Sequence, residues 1–225
     1  LPVVILWLPE TLPSASAFTA GKPPADRWRD LGFQLWPLLA LALAAQFGLA
    51  MFEATFALHA REMLEYGPAR VGAIFTICAL VMAVFQGGAV GYLAPRMRAG
   101  YQIAVGFVLM GLALAILLPA RGTTLVLIII GILALGMALI TPNLTALASK
   151  GQKQHTGAAL GLRNAANSLG QAAGAGLGGL FFAMQMTAAY SITGAILVAI
   201  GIASGRMAQR GNVADSDQQT LGGRS

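Results

Sequence analysis

The sequence predicts an all-α membrane protein, a bundle of six membrane-spanning helices, and three observations carry that prediction. Hydrophobic residues make up 57% of the chain and charged residues only 10%, whereas soluble domains devote roughly a quarter of their residues to charge. The apolar residues gather into uninterrupted runs, each long enough for the ~20 helical residues that cross a hydrocarbon core. A chain of 225 residues cannot enclose several such runs in a water-soluble core. Short polar breaks separate the runs: "EYGPAR", "APRMRAG", "PARGTT", "SKGQKQHTG" and "MQMTAA". Alternating barrel strands do not read as long apolar runs, and backbone groups in lipid must be satisfied within the segment, so helices are the state that fits.

Taken in order, the chain opens on "LPVVILWLPETLP" with no initiator methionine, basic n-region or cleavage site. Residues 1–13 therefore read as the end of a spanning helix whose beginning lies outside this sequence. The polar, proline-containing stretch 14–32 reads as a cytoplasmic linker between bundles. The six spans are expected at about 33–60, 69–94, 100–119, 123–149, 157–184 and 187–207, so the bundle occupies 33–208. Residues 209–225 are polar and glycine-containing and read as a disordered cytoplasmic tail.

Charge orients the bundle. Lys22, Arg27, Arg29, Arg96, Arg98, Lys150, Lys153, Arg206 and Arg210 fall on the linker side, against Arg61, Arg70 and Arg121 on the other. By the positive-inside rule the linker and the C-terminus are cytoplasmic. The net charge of +6 is scattered between apolar runs and forms no patch, so nucleic acid is not an expected partner. Membrane lipid is. Cys78, the single cysteine, lies inside an apolar run as a small hydrophobe. No phosphate-cradling loop, cysteine/histidine metal set or Ser-His-Asp arrangement is present, so neither an enzyme nor a metal or other cofactor is expected.

Residues that can carry chemistry stand out against so apolar a background. Glu53 is the acidic residue placed well inside an apolar span. A carboxylate there is costly when ionised, stays inside the bundle or a wet cavity, and is suited to taking and releasing a proton. Two other readings stay open, a structural partner or a direct contact to a cationic solute. Gln46 lies seven residues earlier on the same helical face. Asn164, Asn167, Ser168 and Gln171 follow helical spacing and form one polar stripe, which serves either a solute or interhelical hydrogen bonds. Asn143 and Thr145 follow Pro142, which loosens its helix, and they are candidate cavity groups. Phe56 is a candidate apolar lining residue with Phe52, Phe75 and Phe85, all of which can equally meet lipid. Arg163 is expected to snorkel to the headgroups, and His59 to be a solvated interfacial histidine.

Glycine supplies the remaining pattern. Gly170, Gly174 and Gly178 recur every fourth residue, with Gly157 and Gly161 upstream and Gly87 and Gly91 as a further pair. Small residues at this spacing let a neighbouring helix press its backbone close.

The stretch "GLRNAANSLGQAAGAGLGG" resembles the antiporter motif of the drug:proton antiporters of the major facilitator superfamily. Gly161, Gly170, Gly174, Gly178 and Gly179 fall on its glycine positions, while Ala175 stands where the family has proline. "GYLAPRMRAG" looks like the family's cytoplasmic loop motif at Gly91, Leu93 and Arg96, with Pro95 in place of the aspartate and Arg98 in place of the second glycine. The resemblance implies the C-terminal half of a twelve-helix fold, helices seven to twelve, working with an N-terminal six-helix half of the same protein. It implies a secondary transporter in a bacterial-type inner membrane, with protons and a small-molecule substrate as partners, exporting small amphipathic compounds or drugs by alternating access. An importer or facilitator of a sugar or other polar metabolite, and a non-transporting receptor or scaffold, are the alternatives.

Overall fold

In the computed structural model, residues 25–89, 97–117, 120, 122–150, 156–184 and 190–207 are described. Two compact units divide the chain, Leu1–Gln34 and Leu35–Ser225. The described part of the first is the opening of one long helix, and the bundle itself is the second.

Six helices appear among the described residues: α1 Ala25–Met63, α2 Pro68–Val84, α3 Ala99–Leu117, α4 Thr123–Ser149, α5 Thr156–Met184 and α6 190–207. Helix α1 begins at Ala25, well before the expected position 33. Its 39 residues run for about 58 Å at 1.5 Å per residue. That is almost twice the thickness of the hydrocarbon, so the charged opening "ADRWRD" stands outside the candidate span Leu31–Glu62. Five helices are long and apolar enough to cross a membrane. The other is α5, long enough at 29 residues but diluted by glycine, alanine and amides.

Proline and glycine punctuate the helices. Pro68 opens α2, where its missing N–H is no loss. Before it, Glu65 adopts a left-handed φ of 55° and Tyr66 donates its N–H to the Ala60 carbonyl at 2.9 Å, which closes α1 with a hydrogen-bonded loop. Helix α2 passes into a π turn at Phe85–Ala89. The sequence expectation carried this span to residue 94, and residues 90–96 lie outside the described residues. Gly122, at φ 93°, caps the start of α4.

The core is a continuous cluster of buried apolar side chains, including Phe52 and Phe56 from α1, Phe107, Met110 and Leu114 from α3, and Leu133 and Ile140 from α4. Glycine sets the closest helix pairs. A Cβ on Gly106 would stand 2.7 Å from the Gly136 carbonyl oxygen, and one on Gly136 would stand 2.6 Å from that of Gly106, so α3 and α4 touch backbone to backbone. The same reciprocal contact joins Gly111 of α3 to Gly194 of α6. Gly87, expected to pack, has nothing within 4 Å of its Cβ position, because it stands on the exposed side of the π turn.

One polar link ties α3 to α4. Asn143 donates its amide to Gln102 Oε1 at 3.0 Å and to its own helix at the Leu139 carbonyl, 2.7 Å away. Interhelical amide bonds of this kind are worth about 0.5–2 kcal/mol in a membrane. Asn143→Leu is therefore expected to lower the thermal midpoint of the purified protein in detergent by a few degrees while leaving its helix content unchanged by circular dichroism.

Candidate functional site

Glu53 is exposed on α1 and stands at the rim of a cleft between α1 and α2. The cleft has a volume of about 420 Å³ and is otherwise apolar, lined by Leu49 and Phe52 from α1 and by Phe75, Cys78, Ala79 and Met82 from α2. Sequence dictates this arrangement locally. Leu49, Phe52 and Glu53 share one side of α1 at three- and four-residue spacing, and Phe75, Cys78, Ala79 and Met82 do the same on α2. Glu53 takes part in no ion pair or side-chain hydrogen bond among the described residues.

Phe56, expected to line the cavity, is fully buried behind it. It stacks at a tilt on Phe52, with centroids 5.2 Å apart, and meets Phe75 edge-on at 5.8 Å. Phe56 shares the helix face of Phe52 and Glu53 one turn on, but the Phe52 and Phe75 rings cover it, so these two are the rings that line the cleft. Gln46 is half-buried on α1 and does not line this cleft.

The remaining polar candidates divide into two groups. Asn143 is buried and engaged with Gln102, as described, and Thr145 donates to the Thr141 carbonyl at 2.9 Å, so both serve helix structure and neither lines the cleft. On α5, Asn164, Ser168 and Gln171 stand exposed together, and Asn167 is half-buried beside them. No amide of α5 lines the Glu53 cleft.

The buried side of α5 carries the glycine line. A Cβ on Gly170 would collide with the Leu43 carbonyl oxygen of α1 and one on Gly174 with that of Phe47, while at Gly178 it would stand 3.3 Å from Thr55 Cγ2. The two helices run parallel here, four residues of one against four of the other. Gly161 and Gly179, the remaining glycines of the motif, have open space at their Cβ positions. Lacking proline at Ala175, α5 continues unbroken through the motif. Gly91, Leu93 and Arg96 of the loop motif lie outside the described residues.

Two side chains behave differently from expectation. Arg163 turns inward, 9% exposed, and donates Nη2 to the Thr141 carbonyl at 3.3 Å, leaving Nε without a partner. It shares the buried side of α5 with Ala159, Ala166 and Gly170, so its stem points at the neighbouring helices and not at headgroups. His59 is 2% exposed instead of solvated. The ring of Tyr190 on α6 covers it edge-on at 5.8 Å, and His59 Nδ1 has no hydrogen-bond partner among the described residues.

Toward the α1–α2 turn a second groove follows the same seam. It measures about 810 Å³ and includes Arg61, Glu65, Tyr66 and Phe75 in its lining. Tyr66 anchors this end, donating its hydroxyl to Thr123 Oγ1 at 2.8 Å with the Arg70 guanidinium 4.8 Å above its ring.

The described bundle thus combines an exposed carboxylate at the rim of an apolar cleft with one helix packed through a glycine ladder. Residues 1–175 match the Major Facilitator Superfamily, and the chain belongs to that family. Its members are transporters, not enzymes. Among curated proteins, the chain is similar to Multidrug resistance protein 2 of Bacillus subtilis (strain 168), at 24% identity over 174 residues, which is 76% of this chain and 44% of the relative. The chain therefore spans less than half the length of that relative.

Proposed function

We propose that this chain is the C-terminal half of a twelve-helix secondary transporter that exports small amphipathic compounds in exchange for protons. The observation that carries the reading is the placement of Glu53, a carboxylate without an ion-pair partner among the described residues, at the rim of a cleft built from Phe52, Phe75, Cys78 and Met82. Such a cleft accepts the apolar body of a solute by burial alone, and its single charge favours a proton or a cationic group. Competition between the two for one carboxylate couples their movements: the proton must leave before the cation binds. The name of the Bacillus relative, a multidrug resistance protein, supports a drug-like substrate class.

Alternating access supplies the mechanism. The bundle rocks against a second six-helix half, with solute held between them near the midplane. In this reading the linker and C-terminus are cytoplasmic, the membrane is a bacterial-type inner membrane, and the Arg61 end opens outward. The open side of α5, with Asn164, Ser168 and Gln171 beside Gly161, meets the other half or the solute.

Those exposed amides favour one second reading, a carrier of a sugar or another polar metabolite, because polar solutes need convergent donors and acceptors. Flux of a solute panel into proteoliposomes holding the full-length protein separates the two. Export predicts movement of lipophilic cations and none of sugars, and Asn164→Ala with Gln171→Ala is expected to change that flux less than about threefold, whereas a sugar carrier would lose it by about tenfold or more. Sugar flux without cation flux would overturn the drug reading.

A further inference from the structure

The two grooves on either side of Phe75 are one seam interrupted by one ring. On α2 the outer groove touches Pro68, Val71, Gly72 and Phe75, and the inner cleft touches Phe75, Cys78, Ala79 and Met82. Along α1 the outer groove touches Ala57, Arg61 and Glu65, while the inner cleft touches Leu49, Phe52 and Glu53. Each helix thus passes from one compartment to the next in sequence order, and Phe75 belongs to both.

We propose that Phe75 is the partition of this seam: its ring separates the Glu53 compartment from the Arg61 compartment, and its swing sets when they join and how large a solute passes. This rests on the reading of the bundle as a carrier. Two rings fix the closed position, since Phe75 meets Phe52 edge-on at 6.1 Å and Phe56 edge-on at 5.8 Å, in the geometry aromatic pairs favour. Phe52 and Phe56 are themselves fully buried and cannot move without opening the core. Phe75 is half-buried and free on its cleft side. Room exists for the open position as well, because Gly72, one turn earlier on α2, has nothing within 4 Å of where its Cβ would stand. A side chain held by aromatic contacts on one side, with vacant space along its own helix on the other, has the two positions a gate needs.

Cys78 provides a readout that does not depend on flux, since it lines the inner cleft one turn beyond the ring. The experiment uses the full-length protein in sealed membrane vesicles of both orientations and a membrane-impermeant cationic methanethiosulfonate. Modification of the Cys78 peptide is followed by mass spectrometry. Phe75→Ala is expected to raise the rate of Cys78 modification from the Arg61 side by about tenfold or more, because access limits the reaction of a buried thiol. Phe75→Trp is expected to lower it, and the rate from the opposite side to stay unchanged. Should the alanine variant not reach the membrane, Phe75→Leu against Phe75→Trp gives the same contrast. Equal rates across the series, including no reaction in any variant, or a rise from both sides, would overturn the partition. Accelerated labelling in a protein that moves no solute would leave the partition standing and remove the carrier reading, whereas solute flux with flat labelling would do the reverse.

Discussion

Replacing Gly174 by leucine is expected to prevent stable assembly of the bundle, while the same change at Gly176, two residues on, leaves it folded. At Gly174 the new Cβ meets the Phe47 carbonyl of α1, a backbone atom that cannot turn aside, and a leucine adds further carbons in the same direction. At Gly176 nothing lies within 4 Å. Overpacking in a filled core costs about 1–3 kcal/mol and occasionally more, and a contact on backbone belongs at the top of that range because relief requires one whole helix to move. Gly170 makes the same contact with Leu43, so moving the helices apart at Gly174 also gives up the packing at Gly170. A loss of this size lowers cellular abundance severalfold. Fluorescence-detected size exclusion of tagged full-length protein should show Gly174→Leu aggregated or absent and Gly176→Leu monodisperse. Gly161→Leu, on the open side of α5, is expected to fold normally and to reduce transport, since that side is where the proposed partner half approaches.

Glu53→Gln is the second change of large expected effect, and it is directed at chemistry alone. Glutamine keeps the size of the side chain and cannot hold a negative charge, so the apolar lining of the cleft is undisturbed. The exposed carboxylate makes no ion pair among the described residues, so its replacement leaves no buried partner behind and the protein should retain its thermal midpoint. Transport is another matter. With no group to exchange a proton for the solute, gradient-driven export should fall by about tenfold or more, which corresponds to at least 1.4 kcal/mol of lost coupling free energy. Binding of neutral amphiphiles to the aromatic and sulfur-lined cleft should survive.

What is legible in the sequence depends on whether the signal is local. Glu53 can be found there because one charge in a long apolar run is too costly to be incidental, and the glycine ladder because Gly170, Gly174 and Gly178 repeat at the spacing of one helical face. The pairs Gly106–Gly136 and Gly111–Gly194 cannot. Each is a single glycine whose partner lies on a helix 30 or more residues away, and no local period announces it. Gly87 shows the converse, with good spacing but open space where its Cβ would stand. Asn143 and His59 depart from expectation for the same reason: Gln102, 41 residues away, and Tyr190, on α6, decide what those side chains do. Phe56 lies on the expected face of the expected helix but beneath the rings of Phe52 and Phe75, since exposed and buried phenylalanines look alike in a span that is apolar all round.

The long α1 illustrates a further limit. Its opening residues are polar enough to read as linker, yet helix continues through "ADRWRD", where Ala25 and the two arginines favour helix and Asp26 suits a helix N-terminus. Composition locates the hydrocarbon boundary better than it locates the helix boundary.

The measurement that tests the central claim most directly records internal pH in proteoliposomes of the full-length protein, with an imposed proton gradient and a lipophilic cation added as substrate. Antiport through Glu53 predicts that substrate addition moves protons in the wild type, and that Glu53→Gln abolishes this movement while the protein remains folded. Proton movement that persists in Glu53→Gln, or cation flux in the wild type with no proton movement, would contradict it.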